Sequence, residues 1–207
     1  MNIGWQLGST QKWLWFLMSK KRYGGWLITS TGRSFYPLDP KVDEVCIEDI
    51  AHSLSNLCRF GGHTREYLSV NQHCLTVSQL IKDEKHTAIY QLAGLLHDAS
   101  EAYLVDIPSP VKRYLDEYNR VEGILLKVIE KAFKLPTGML SCGVVKKADR
   151  EALAIEAKQF VFDPTHLWSN VPTTPKKFSI TPMEPRQAKL AYLRRFGELQ
   201  SEIRRGK

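Results

Sequence analysis

Apolar residues recur at spacings of three and four through most of the chain, which is the pattern of helices with one buried face. A different pattern occurs near the start, where β-forming residues flank the Gly-containing turn 30–33 and predict a small hairpin over residues 26–38. The sequence therefore predicts an all-α bundle with a small N-terminal β-hairpin. The predicted helices cover residues 47–58, a segment that begins after Ser69, and residues 87–100, 119–134, 144–160 and 183–204.

The connections between these helices predict the domain organisation. Two prolines in residues 105–112 predict a loop, and a second loop-like stretch covers residues 163–175. The 207 residues are enough for one domain with a sizeable core. We expect an N-terminal extension at residues 1–22 and a single domain at residues 23–207.

Composition is that of an ordinary globular protein, with 43% hydrophobic and 25% charged residues. No apolar run approaches the roughly 18 residues that a membrane-spanning helix needs, so no membrane span is expected. The four cysteines have no CxxC spacing and are expected to be reduced thiols. These features favour a cytoplasmic location.

The net charge of +7 suits an anionic ligand such as a nucleotide, although a solvated basic surface explains it equally well. The basic residues are scattered in short pairs and form no long basic run. Nucleic acid is therefore not an expected partner.

The centre of the chain is the adjacent pair His97-Asp98, which follows the apolar run from Ala88 to Leu96. Glu101 comes four residues after His97, so a helix would carry both on one face. A buried His-Asp pair is costly unless something satisfies it, and a divalent metal does so directly.

Two further residues extend this candidate metal site. His73 shares a face with Val77 and Leu80 on the helix that begins after Ser69, and Asp149 lies on the inner stripe of a later helix. Two imidazoles and two carboxylates suit Mn²⁺, Co²⁺, Fe²⁺, Zn²⁺ or Ni²⁺ better than Mg²⁺ or Ca²⁺, which prefer oxygen ligands.

The order His73, His97-Asp98, Asp149 resembles the HD superfamily of metal-dependent phosphohydrolases, whose metal ligands follow the pattern H…HD…D. The HDxxE segment that ends at Glu101 and the DxPxPxK segment at residues 106–112 narrow the resemblance. The chain looks like the bacterial 5′-deoxynucleotidases and the bacteriophage deoxynucleotide hydrolases that act on dATP. The resemblance covers roughly residues 47–155.

The resemblance implies a role for each matching residue. It assigns the metal to His73, His97, Asp98 and Asp149, a catalytic role to Glu101, and a second functional carboxylate to Asp106. Arg59 matches the arginine that the family carries before its first histidine, where it would bind phosphate. The candidate substrate-binding residues are Arg59, Phe60, His63 and Lys112. Phe60 departs from the bacterial mononucleotidases, which carry tryptophan after the arginine.

The implied protein is an HD-domain helical bundle that binds one divalent transition metal and hydrolyses deoxynucleotides. The primary expectation is a 5′-deoxynucleotidase, which releases phosphate from deoxynucleoside monophosphates. One alternative is a dNTP triphosphohydrolase of the dATP type, for which a second ion, Mg²⁺, would accompany the substrate. An alternative of another class is a non-catalytic nucleotide- or nucleic-acid-binding protein that retains the metal site. By analogy we expect a homo-oligomer, a dimer or higher.

Other metal-dependent hydrolases fit the sequence less well. HExxH is absent, which excludes zinc peptidases of that type. The guanosine tetraphosphate hydrolases of the superfamily carry HDxxED, where this chain has Ala102 in place of the second acid.

Overall fold

The computed structural model describes residues 22–162 and 178–206. The loop predicted at residues 163–175 and the extension predicted at residues 1–22, apart from Arg22, lie outside the described residues. The domain boundaries stay a prediction.

The small hairpin predicted near the N-terminus is present. Strand β1 (Leu27–Ile28) pairs antiparallel with strand β2 (Ser34–Phe35), with Leu27 opposite Phe35. Gly32 takes a φ of +78° in the turn, a conformation that glycine adopts without strain. The buried ring of Phe35 stacks on Tyr103, with 3.8 Å between ring centroids. The hairpin is thereby fixed to the helical core.

The rest of the described chain is mainly helical, so the predicted all-α class with a small hairpin is confirmed. Short 3₁₀ turns at residues 42–44, 59–62 and 139–141 connect some of the helices. None of the helices in the described ranges is long and apolar enough to cross a membrane. The helices are α1 (Ile47–Asn56), α2 (Val70–Asp83), α3 (Ala88–Leu96), α4 (Glu101–Leu104), α5 (Ser109–Lys112), α6 (Asp116–Ala132), α7 (Gly143–Phe160) and α8 (Pro185–Arg205).

Helix α2 lies at the centre and packs against α1, α3, α7 and α8. Its N-terminus is capped by Ser69, whose hydroxyl accepts a hydrogen bond from the backbone N–H of Gln72. Ser69 and Gln72 form only half of a capping box, because no reciprocal bond runs from the Ser69 backbone to the Gln72 side chain. The Gln72 side chain instead donates to the carbonyl of Thr181 and accepts from the N–H of Met183, which holds the segment before α8 against α2.

Two predicted boundaries differ from the structure. The helix predicted over residues 87–100 ends at Leu96, and His97 to Ser100 form a tight turn before α4. The N–H of Glu101 donates to the carbonyl of Asp98, a three-residue spacing that departs from the α-helix. The loop predicted at residues 105–112 contains the single-turn helix α5, because Pro110 is tolerated in a first turn.

Helices α2 and α3 approach closely at Gly94. A Cβ atom there would lie 2.5 Å from Cδ1 of Ile81 and 3.2 Å from Cγ1 of Val77. Both side chains are fully buried, so neither can move without repacking the core. The small residue at position 94 therefore sets the spacing between the helix that carries His73 and the helix that ends just before His97.

Gly94→Ala is expected to lower the free energy of unfolding by about 1 kcal/mol, because overpacking outweighs the gain in helix propensity. Gly123→Ala in α6 is the matched control, since nothing lies within 4 Å of a Cβ atom at that position. It is expected to raise the free energy of unfolding by about 0.5–1 kcal/mol. Urea denaturation of the two variants should show changes of opposite sign. A stabilised Gly94→Ala protein would contradict the close approach.

Candidate metal centre

Three elements bring the predicted metal ligands together. His73 lies in the first turns of α2, the His97-Asp98 pair follows the end of α3, and Asp149 lies on α7. His73 is fully buried, whereas the Asp149 side chain is 42% exposed. The cluster therefore lies at the edge of the core, open to solvent on the side of α7.

The functional atoms of these four residues converge on one small space. The two Nε2 atoms of His73 and His97 lie 3.3 Å apart. Nε2 of His73 lies 3.1 Å from Oδ1 of Asp149 and 3.6 Å from Oδ2 of Asp98. Nε2 of His97 lies 3.2 Å from Oδ2 of Asp98 and 3.9 Å from Oδ1 of Asp149.

The opposite nitrogen of each ring is already engaged. Nδ1 of His97 lies 2.8 Å from the carbonyl oxygen of Gly94, and Nδ1 of His73 lies 2.7 Å from Oε1 of Glu156. A carbonyl oxygen can only accept, so the His97 ring must donate its Nδ1 hydrogen there. In neutral rings both Nε2 atoms then carry lone pairs that point at each other and at two carboxylates.

This arrangement fits a divalent metal ion. Ligands about 2.1 Å from one metal lie roughly 3.0–3.4 Å apart at tetrahedral or octahedral angles, close to most of the distances in this cluster. Nδ1 of His73 contacts a carboxylate, and Nδ1 of His97 contacts a backbone carbonyl. Hydrogen bonds of this kind orient a histidine ring so that its other nitrogen can bind a metal. These side chains can hold a metal ion.

The charges in the cluster depend strongly on one another. Burial alone would raise the pKa of Asp98, but the positive charges of His97, His73 and Arg59 lower it far below its usual range. Burial alone would lower the pKa of His97, but Asp98 raises it well above the usual range. The surroundings thus favour negative charge on Asp98 and positive charge at the centre of the cluster. A metal ion would also supply positive charge at that point.

Comparison with known proteins gives the family of the chain. The uncharacterized protein YfdR of Escherichia coli (strain K12) is 38% identical over 180 residues, which cover 86% of this chain and 96% of YfdR. The chain belongs to the YfdR family. An uncharacterized protein of Rhodobacter capsulatus is 34% identical over 143 residues, covering 65% of this chain and 72% of that protein. No family model matches the chain.

Arg59 lies beside the cluster of this YfdR-family chain, in the turn between α1 and α2. Its Nη2 lies 3.2 Å from Oε2 of Glu156, and its Nη1 lies 3.9 Å from Oδ2 of Asp106. Phe60, the next residue, holds a φ of +55° and its ring centroid lies 5.5 Å from the guanidinium carbon. His63 ends the same turn in an exposed position, and its predicted role in substrate binding stays a prediction.

Glu101 begins α4 and is almost completely buried. Among the described residues its Oε2 atom has no hydrogen-bond partner, and its Oε1 lies 3.9 Å from Nζ of Lys112. Burial raises the pKa of Glu101 well above its usual value, and the negative charges of Asp98 and Asp106 act in the same direction. Glu101 is therefore a carboxyl group that can hold a proton beside the metal cluster.

The structure also brings residues to the site that had no predicted role. Glu156, fully buried on α7, contacts both Arg59 and His73. Its place on the inner stripe of a predicted helix was the only signal in the sequence. Glu122 lies 2.6 Å from Nζ of Lys112. Cys74 lies close to His97 and Asp98, and burial raises the pKa of its thiol to about 11. The four cysteines are free, as predicted.

Val105 precedes Asp106 with a φ of +72° and a ψ of 149°. It is the only β-branched residue with positive φ in the part of the chain that the structure describes. Two hydrogen bonds hold it there: its N–H donates to the carbonyl of Glu101, and its own carbonyl accepts from Tyr118. Its side chain is exposed, so packing does not explain the residue. Such backbone strain concentrates near functional sites.

Asp98→Asn is expected to weaken divalent metal binding by at least about 100-fold, because it removes a charged ligand. In wild-type protein, Co²⁺ at 100 times its dissociation constant should raise the free energy of unfolding by about 2.7 kcal/mol. That increase should disappear in Asp98→Asn. The control is Asp49→Asn, which removes a buried carboxylate that accepts from Ser30 and Thr31 in the hairpin. It should lower stability but keep the increase with Co²⁺; equal increases in all three proteins would contradict the assigned ligand.

Val105→Gly is expected to raise the free energy of unfolding by about 1 kcal/mol, because relief of strain exceeds the added entropy of the unfolded chain. Val111, a similarly exposed valine within α5, is the matched control. Val111→Gly is expected to lower the free energy of unfolding by about 0.5–1 kcal/mol. Denaturant unfolding measures both, and a loss in both variants would show that Val105 is not strained.

Proposed function

We propose that the chain is a metal-dependent phosphohydrolase of the HD type that removes the 5′-phosphate from deoxynucleoside monophosphates. The observation that carries the proposal is the convergence of two imidazole nitrogens and two carboxylates on one small space. Arg59 and the buried Glu101 flank this cluster, where the first can bind a phosphate and the second can move a proton.

The resident group in this proposal is one divalent metal held by His73, His97, Asp98 and Asp149. When bound, such an ion lowers the pKa of a coordinated water and polarises a phosphoryl group. The exposed side of Asp149 leaves a path by which water and substrate can reach the cluster.

Arg59 binds and orients the phosphate in this proposal. A guanidinium fits two phosphate oxygens at once through parallel N–H groups. Hydrogen bonds from Nε and Nη2 to Glu156 fix the plane of the group. Nη1 lies beyond hydrogen-bond distance of Asp106, so it can donate to a phosphate oxygen.

Glu101 moves the proton. Hydrolysis forms a bond from a water oxygen to phosphorus and breaks the bond from phosphorus to the 5′ oxygen of the sugar. The attacking water loses a proton, and the departing 5′ oxygen gains one. The Oε2 atom of Glu101, which has no hydrogen-bond partner among the described residues, is available for this transfer, and Nζ of Lys112 lies 3.9 Å from the other oxygen.

A monophosphate suits the charges at the site better than a triphosphate does. Among the described residues around the cluster, the two cations are Arg59 and Lys112, and each already faces carboxylates. A triphosphate brings more negative charge than these cations and one metal ion balance. The deoxynucleoside part of the proposal rests on the family resemblance, with Phe60 as an apolar wall and Asp106 beside Arg59 for the sugar.

The test is a substrate panel with Co²⁺ or Mn²⁺, in which every dNMP, dNTP and ribonucleotide is incubated with the protein and products are separated. The expected result is deoxynucleoside plus inorganic phosphate from dNMPs. Glu101→Gln is expected to lower kcat by about 100-fold or more, because the amide cannot transfer the proton. Its affinity for Co²⁺ should stay within a few-fold of wild type.

Other outcomes of the panel distinguish the alternatives. Tripolyphosphate released from one dNTP would make the protein a triphosphohydrolase. No turnover of any nucleotide by protein that binds Co²⁺ would favour a non-catalytic binding protein. Full activity of Glu101→Gln would contradict the role given to Glu101.

A further inference from the structure

Glu156 has no surface exposure, yet both of its carboxylate oxygens are used by functional side chains. Oε1 lies 2.7 Å from Nδ1 of His73. Oε2 lies 3.3 Å from Nε and 3.2 Å from Nη2 of Arg59. One buried side chain therefore joins a residue of the metal cluster to the arginine beside it.

We propose that Glu156 is a positioning residue that orients His73 toward the metal and Arg59 toward the phosphate, so that one carboxylate couples the two binding events. The part that concerns Arg59 rests on the proposed function. The part that concerns His73 requires only that the cluster binds a metal.

The contact with Glu156 fixes the tautomer of His73. Its Nε2 faces the cluster, so it can act as a ligand only if the ring proton stays on Nδ1. An acceptor at Nδ1 keeps the proton there and makes Nε2 more basic. The charged Oε1 of Glu156 is such an acceptor, and at 2.7 Å it also fixes the angle of the ring.

The contact with Glu156 also fixes the orientation of the Arg59 guanidinium. Because Nε and Nη2 both donate to Oε2 of Glu156, the guanidinium plane and the side-chain rotamer are set from the buried side. The Nη1 group is then directed away from α7 toward Asp106, where the Oδ2 atom lies 3.9 Å away. Without Glu156, the long arginine side chain would have to lose more conformational freedom on binding a phosphate.

Only a carboxylate can accept hydrogen bonds from His73 and Arg59 at the same time. His73 and Arg59 present hydrogen-bond donors from two directions, and a carboxylate is the side chain that accepts on both oxygens. The amide of a glutamine would accept on one side and present N–H groups to a donor on the other. Glu156→Gln, although nearly identical in shape, should therefore oppose one of the two donors and, because its negative charge is lost, weaken the contact with the other.

A merely structural role is the competing explanation, because loss of a buried charge partner destabilises a protein whatever its function. The chain offers a matched control in Glu130, a buried glutamate on α6. Its oxygens accept from the backbone N–H groups of Gly138 and Leu140, so it also uses both oxygens but holds a turn. Glu130→Gln should lower stability without altering the metal cluster.

The experiment compares the wild type, Glu156→Gln and Glu130→Gln in the absence of nucleotide. Metal-free protein is titrated with Co²⁺ by visible absorption, and cobalt-saturated protein is then titrated with inorganic phosphate by calorimetry. Unfolding in urea gives the stability of each metal-free protein. The dissociation constant for Co²⁺ is expected to increase about 10- to 100-fold in Glu156→Gln. Phosphate binding should also weaken, and Glu130→Gln should match the wild type in both titrations to within about twofold.

Glu156→Asp is the second variant, in case the glutamine variant does not fold. It keeps the charge but is one methylene shorter, so it cannot reach both partners, and it should weaken at least one of the two binding steps. Cobalt and phosphate affinities within twofold of wild type in a folded Glu156 variant would overturn the proposal, whatever the loss of stability.

The two proposals fail in different ways. A wild-type protein that turns over no nucleotide would refute the proposed function, while the cobalt titration would still decide the role of Glu156 toward His73. Cobalt-loaded wild type that binds no inorganic phosphate would overturn the coupling to Arg59.

Discussion

The rest of the site depends on the repulsion between acceptor atoms at its centre. Two imidazole nitrogens and two carboxylates meet within about one ligand–ligand distance of each other, in a region that is partly removed from water. In the protein alone they are tolerated only by taking up protons, which explains the raised pKa of His97 beside the lowered pKa of Asp98. A divalent cation held by these four side chains would offset the same repulsion.

Close helix packing is what brings these groups together. Gly94 lets α3 approach α2, and the carbonyl of the same residue accepts the hydrogen bond from the His97 ring. Gly94 thus sets both the distance between the two helices and the orientation of the His97 ring. A core that is packed at this density transmits the position of α2 directly to the site, because a shift of a few tenths of an ångström would meet other side chains.

The sequence predicted most of this because the relevant signals are local. Periodicity in apolar residues gave the helices to within a few residues, and the order of His73, His97-Asp98 and Asp149 gave the cluster. The break after Leu96 was missed because residues 97–100 contain neither the glycine nor the proline that usually marks the end of a helix. In this segment the backbone conformation is set by the tertiary structure, which orients the His97-Asp98 pair toward the cluster.

Glu156 was missed for a different reason. Its partners lie 83 and 97 residues away along the chain, so no spacing on its own helix distinguishes it from any inward-facing polar residue. A sequence pattern identifies residues that contact a metal, since the metal restricts their type. It identifies poorly the residues that orient those ligands, because many acceptors could do so and only the fold selects one.

The distribution of charge around the cluster bears on the order in which metal and phosphate bind. The chain carries a net charge of +7, but around the cluster the described carboxylates outnumber the described cations. A phosphate dianion that approached the metal-free cluster would meet the negative charges of Asp98 and Asp149, whose side chains are more exposed than that of Arg59. Bound metal reverses the local sign and leaves Arg59 as a second positive contact. The affinity of this site for phosphate is therefore expected to depend on the bound metal, even though the net charge of the chain is positive.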